Sequence, residues 1–97
     1  MKKPQNHMLL KDVIKLFFRE QKNNTQFNEM RITKIWVDIV GQHFANHTVS
    51  ISLKYKTLFV RMDSAGAKYD LFMGRNLIIR QINRTLGENL VERIMFQ

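Results

Sequence analysis

Apolar residues recur at helical spacing from Leu9 to Gln21, where Leu9, Leu10, Val13, Leu16 and Phe17, with Ile14 between them, make one wide stripe and predict a first helix. Its back is cationic. Lys11, Lys15, Arg19 and Lys22 stand at i, i+4, i+8 and i+11, tempered by Asp12 and Glu20, a pattern that serves either a solvated face or a phosphate-tracking one. The polar run Lys22-Asn23-Asn24-Thr25-Gln26 predicts a connector, and Asn28 an N-cap for a second helix with Ile32, Ile35, Trp36, Ile39 and Val40 at its core positions. Gly41, just past the last periodic residue, is expected to stop that helix as a left-handed cap. Trp36 reads as the core anchor, with an indole N–H that needs a partner.

The period then changes from 3.6 to 2. Val49, Ile51 and Leu53 alternate with Ser50, Ser52 and Lys54; Leu58, Val60 and Met62 alternate with Phe59 and Arg61; together they predict a β-hairpin. Its connection, Lys54-Tyr55-Lys56-Thr57, lacks the Asn-Gly or Asp-Gly of a tight primed turn, which leaves the turn type open and puts two lysines at an exposed tip. Asp63-Ser64 is the start signal of a third helix running to about Leu86, closed by Gly87. Leu71, Ile78, Ile82 and Leu86 form its buried line, flanked by Phe72 and Ile79, while Asn76, Arg80, Asn83 and Arg84 share a polar face. Gly66 and Gly74 each weaken this helix by up to about 1 kcal/mol and leave room for a bend. Leu90 to Phe96, with Ile94 and Phe96 set against Arg93 and Met95, predicts a third strand.

The order is helix, helix, strand, strand, helix, strand: an α+β layer with helices on one face of a three-stranded sheet. The other face then carries Ser50, Ser52, Phe59, Arg61, Arg93 and Met95. Aromatic and guanidinium groups on an open sheet can stack bases while the cations follow phosphates. A lone phenylalanine among hydroxyls can equally be a cross-strand pairing residue or be covered by a dimer partner.

Ninety-seven residues make one small domain, with residues 1–8 expected to be a flexible basic N-terminus. A hydrophobic fraction of 44% is too apolar for intrinsic disorder even at a net charge of +8. The absence of cysteine excludes disulfides and thiolate zinc sites. No secretory signal or membrane-length apolar run is visible, so a cytoplasmic location is expected. The charge is uneven: +4 for residues 1–22, zero for 23–47, +2 for 48–63 and +2 for 64–97. An anionic polymer or an acidic protein face is the expected partner, because lysine and arginine near phosphates release condensed counterions.

Catalysis finds little support. His43 and His47 stand four apart, but there is no zinc-protease glutamate between them and no third ligand nearby beyond Asp38, so a surface or turn-stabilising role is expected for His47 and no metal. Ser50, Ser52 and Ser64 have no histidine and acid partners evident. No glycine-rich loop ending in Gly-Lys-Ser/Thr exists, which excludes a nucleotide-hydrolysing loader of that kind. Neither an enzyme nor a cofactor is expected.

An ordered string of landmarks runs through the chain: Trp36, Val40-Gly41, His47-Thr48, Leu58 and Val60, Asp63-Ser64, Leu71, Met73, Arg75, Asn83, Gly87, Ile94 and Phe96. From about Met8 to Phe96 it resembles the DciA family of bacterial proteins that help put the replicative helicase onto DNA. The resemblance implies a KH-like domain, although the KH loop of two glycines separated by two residues is absent. It also implies a nucleoid-associated adaptor that binds the DnaB-type helicase and single-stranded or forked DNA without spending nucleotide. Family members often carry a further flexible tail, so a short version is expected to bind DNA poorly and keep the protein partner. The candidate phosphate contacts are Lys54, Lys56, Arg75, Arg80 and Arg84, with Lys11, Lys15 and Arg19 as a second patch and Phe59, Arg61 and Arg93 on the sheet. The other readings are a KH-like RNA- or ribosome-associated module and a structural, weak homodimer joined through the sheet.

Overall fold

The computed structural model describes residues 9–97, the side chains of residues 13–24 excepted. The expectations for residues 1–8, for the stripe of Val13, Ile14, Leu16 and Phe17 and for the side chains of Lys15, Arg19 and Lys22 therefore lie outside the described residues.

The chain forms α1 (Leu10–Val40), a short α2 (Gln42–Asn46), β1 (Thr48–Lys54), β2 (Thr57–Met62), α3 (Ala65–Met73), α4 (Arg75–Leu86) and β3 (Arg93–Phe96). The α+β class and the order of strands and helices hold, with four helices among the described residues. The two predicted N-terminal helices are one. Polar composition alone does not break a helix, because ordinary residues differ by at most about 0.7 kcal/mol in helix propensity and no glycine or proline interrupts residues 22–26. Asn28 accordingly sits inside α1 and is no cap; its Oδ1 accepts from Arg31 Nη1 at 3.0 Å.

Gly41 does end α1, but not as a left-handed cap. Its φ of 91° and ψ of 159° describe an extended backbone with positive φ, a conformation side chains disfavour. That single residue donates back to Val37 O at 2.8 Å and accepts from Ala45 N at 3.0 Å, so it closes α1 and opens α2. Gly87 is the true left-handed stop, at φ 73° and ψ 18°. Its N–H bonds to Asn83 and Arg84, and Glu88 N–H reaches Asn83 O, as in a Schellman motif. The predicted third helix breaks at Gly74 into α3 and α4, the bend that its glycines allowed. Ser64 caps α3, its Oγ accepting from Ala67 N at 3.2 Å.

The sheet order is β1-β2-β3, with β1 and β2 antiparallel and β2 and β3 parallel. A parallel neighbour needs a crossover, which α3 and α4 supply. Ile32 and Trp36 of α1, Leu71 of α3 and Ile78 and Ile82 of α4 bury one sheet face formed by Leu53, Leu58, Val60 and Ile94. Val49 departs from the predicted alternation: a register shift between Thr48 and Ser50 turns it out of the core and leaves it exposed. The hairpin closes with two residues, Tyr55 at φ 50° and Lys56 at φ 63°, between the paired Lys54 and Thr57. Two consecutive positive φ values identify a type I′ turn built without glycine or asparagine. No helix among the described residues is long and apolar enough to cross a membrane.

Candidate nucleic-acid interface

The cross-strand register settles what the uncovered sheet face presents. Ser50 pairs with Arg61, Ser52 with Phe59 and Lys54 with Thr57; on the other side of β2, Arg93 pairs with Thr57 and Met95 with Phe59. Because Leu53, Leu58 and Ile94 point into the core, these alternate residues point away from it. The face is therefore three rows deep: exposed Lys54 and Arg93 on either side of a buried Thr57 near the turn, then Ser52, Phe59 and Met95, then Ser50 and Arg61. At roughly 3.3 Å per residue the track from Thr57 to Arg61 is about 13 Å long. Phe59 is half-buried by its neighbours, while Met95 is exposed.

The turn extends this track past the edge of the sheet. Lys56 is held from two directions: its carbonyl accepts from Glu92 N at 2.8 Å and Arg93 N at 3.3 Å, and its Nζ donates to Asn89 O at 3.1 Å. Asn89 also lines an open cleft of about 520 Å³, together with Arg80, Asn83, Arg84, Gly87 and Glu88. Arg80 and Arg84 stand one helical turn apart on α4 in this cleft, whose rim residue Asn89 is bonded to Lys56 of the hairpin tip. Of the five leading candidate cations, four belong to the turn or to this cleft: Lys54 and Lys56 flank Tyr55, and Arg80 and Arg84 line the cleft. Arg75 does not: it opens α4, about 14 Å along the helix from Arg84, and stacks over the Phe72 ring at 4.1 Å.

Carboxylates leave these cations largely free. Of Lys11, Lys54, Lys56, Arg61, Arg75, Arg80, Arg84 and Arg93, only Lys56 forms an ion pair among the described residues, at 3.8 Å from Glu92. Arg31 is the cation that is spent on the fold, since it bonds Glu88 Oε2 at 2.8 Å and Leu86 O at 3.1 Å and ties α1 to the end of α4. Lys11 is exposed in the first turn of α1, and the side chains of Lys15 and Arg19, its expected companions, fall outside the described residues.

Asn83 was expected on the solvent-facing polar side of α4. It is instead a clamp. Its Oδ1 accepts from Leu90 N and Val91 N, each at 3.0 Å, and its Nδ2 donates to Val91 O at 2.9 Å, which fixes the loop beneath the hairpin tip. Tyr55, at the centre of the turn, is an exposed aromatic ring between Lys54 and Lys56.

The opposite end of the sheet is built differently. Trp36 Nε1 donates to Thr48 Oγ1 at 3.0 Å, and that hydroxyl donates to Phe44 O at 2.9 Å, so the anchor expected of Trp36 is present with its partner. His47 Nδ1 lies 2.8 Å from Asp63 Oδ1, which gives His47 the turn-stabilising place expected of it. Among the described residues no three His, Asp or Glu side chains gather to hold a metal. Beside this corner an apolar groove of about 350 Å³ runs between α3 and the end of β3, lined by Ala65, Lys68, Tyr69, Phe72 and Phe96. Tyr69, Phe72, Met73 and Leu77 expose apolar surface around it.

The family model described as "Dna[CI] antecedent, DciA" matches residues 9–96, nearly the whole chain. No curated protein matches it.

Proposed function

Starting from a chain that belongs to the DciA family, we propose a non-enzymatic adaptor that binds the DnaB-type replicative helicase and single-stranded or forked DNA and assists helicase loading. The observation that supports the DNA half is that Lys54, Lys56 and Arg93 stand at the turn end of an open sheet, with Arg80 and Arg84 in a cleft joined to Lys56 through Asn89, and that among the described residues only Lys56 of these pairs with a carboxylate. Arg61, Phe59 and Met95 continue the track away from the turn, so the backbone of a strand could follow cations while bases meet an aromatic ring and a thioether. The exposed apolar strip of α3, at the other end of the sheet, supports a separate protein contact. Two partners on two ends can be held at once, as an adaptor requires. A homodimer packed face to face through the sheet is the weaker reading, because it would set Lys54, Arg61 and Arg93 against their own copies.

The test is equilibrium binding of an oligo-dT strand over a salt series. Triple replacement K54E/R61E/R93E should weaken binding and lower the slope of log K against log salt by about 2, since each lost phosphate contact on a single strand removes about 0.7. An unchanged slope refutes the interface. In parallel, pull-down of a DnaB-type helicase should survive that triple variant and fail for F72S.

A further inference from the structure

The hairpin tip carries a side chain that the fold does not use. Tyr55 stands at φ 50° in the first of two central turn positions, a left-handed conformation that asparagine and glycine adopt readily and tyrosine does not. Its side chain is 95% exposed, so no burial offsets the backbone cost. Lys54 and Thr57 pair across the turn, and Lys56 ties it to the loop before β3 through two bonds to its carbonyl from Glu92 and Arg93 and one from its Nζ to Asn89. The tyrosine ring is left projecting from a rigidly held turn, with Lys54 and Lys56 on either side. Strained backbone that the surroundings over-determine concentrates at sites of function.

We infer that Tyr55 is a base-stacking residue, the ring on which an unpaired base of a single strand rests while Lys54 and the α4 arginines hold the adjoining phosphates. Three features converge on nucleic acid as the occupant. The ring is flat, large and exposed, and every base offers it a π-face. It lies between Lys54 and Lys56, one register row from Arg93, and Lys56 is bonded to Asn89 of the cleft that Arg80 and Arg84 line, so an approaching strand is drawn to it. The turn is short and tied down through Lys56, so little conformational freedom is lost when the ring is covered. Phe59 and Met95 lie on the same outer face, behind the row of Lys54 and Arg93, so a base on Tyr55 and a base on Phe59 can belong to one strand crossing the tip.

This inference rests on the DNA-binding reading above and extends it by one residue and one kind of contact. Stacking is largely independent of salt, whereas phosphate contact is not, and that separates the two experimentally. Fluorescence anisotropy of labelled oligo-dT and oligo-U should show Y55A binding both about tenfold more weakly, with the salt slope of the wild type. Y55F should bind as the wild type does, since the ring remains. Y55G should bind as weakly as Y55A while melting no lower than the wild type, because glycine fits the positive φ; this rules out misfolding as the cause. Duplex DNA, which offers no unpaired base, should bind Y55A and wild type equally. Wild-type affinity of Y55A for both single strands overturns the stacking role and leaves the basic interface standing. Failure of the wild-type chain to bind either strand overturns both. Loss of helicase capture by Y55A with strand binding intact also overturns it, by making Tyr55 a protein contact.

Discussion

The two ends of the small sheet obey opposite rules. Where β2 leaves the sheet towards α3, every polar group that could be orphaned has a partner: Trp36 with Thr48, Thr48 with Phe44, His47 with Asp63, and Ala67 with the Ser64 cap. Where β1 turns into β2, a tyrosine occupies a backbone conformation it disfavours, its ring in solvent, and of the cations Lys54, Lys56 and Arg93 only Lys56 pairs with a carboxylate among the described residues. One end is organised for stability. The other accepts strain and like-charge repulsion, which persist in a native structure when something outside the fold compensates them. The residues that carry the family resemblance include joints, caps and clamps at both ends: Trp36, Gly41, Thr48, Asp63 and Ser64 at the first, Asn83 and Gly87 beneath the second, and none in the turn itself. A family of this kind is recognised by its scaffold.

The sharpest way to break this contrast is at the stable end. Trp36→Ala should cost about 3–5 kcal/mol of unfolding free energy in urea titration, as large aromatic truncations in a core do; that is a large share of the stability of so small a domain. A cost below about 1 kcal/mol would mean the corner is not the anchor of the fold. Next comes Asn83→Ala. It leaves the N–H groups of Leu90 and Val91 without their acceptor beside a Val91 side chain that is 1% exposed, and should cost about 2–3 kcal/mol. Because that loop also supplies Asn89 and Glu92 to Lys56, the same variant should loosen the tip and accelerate amide exchange at Glu92 and Arg93. R80E/R84E should leave stability within about 0.5 kcal/mol of the wild type, since neither side chain is committed to an ion pair among the described residues, and should still weaken oligo-dT binding. Equal loss of stability and binding would show that the α4 arginines belong to the scaffold after all. Asp63→Asn is expected to be the mildest, at about 0.5 kcal/mol, because its partner His47 and the carboxylate itself are both well exposed.

Much of the architecture could be read directly from the chain. Alternation from Val49 to Met62 placed both strands of the hairpin and the residues of its open face, and the helical line through Leu71, Ile78 and Ile82 placed the buried side of α3 and α4. Ser64 and Gly87 did what their chemistry suggested. Other features were not legible. The polar stretch within α1 reads as a connector, because polarity correlates with loops while glycine, proline or a cap is what ends a helix. Val49 broke alternation through a local register shift that has no composition signature.

What the sequence determined alone is local: the period of each apolar pattern, the stops at Gly41 and Gly87, the cap at Ser64, and a charge excess that calls for an anionic partner. These follow from interactions within a few residues of each other. Which cations share a surface was decided only when β3 paired parallel to β2 and the Asn83 clamp brought the end of α4 beside the hairpin tip. Arg75 and Arg84 look alike in sequence; a local stack on Phe72, three residues away across the Gly74 break, takes up the first, and the packing of the loop after Gly87 builds the cleft around the second. The same packing makes Tyr55 conspicuous, since a positive φ and an uncovered ring are properties of the folded turn that no residue type announces.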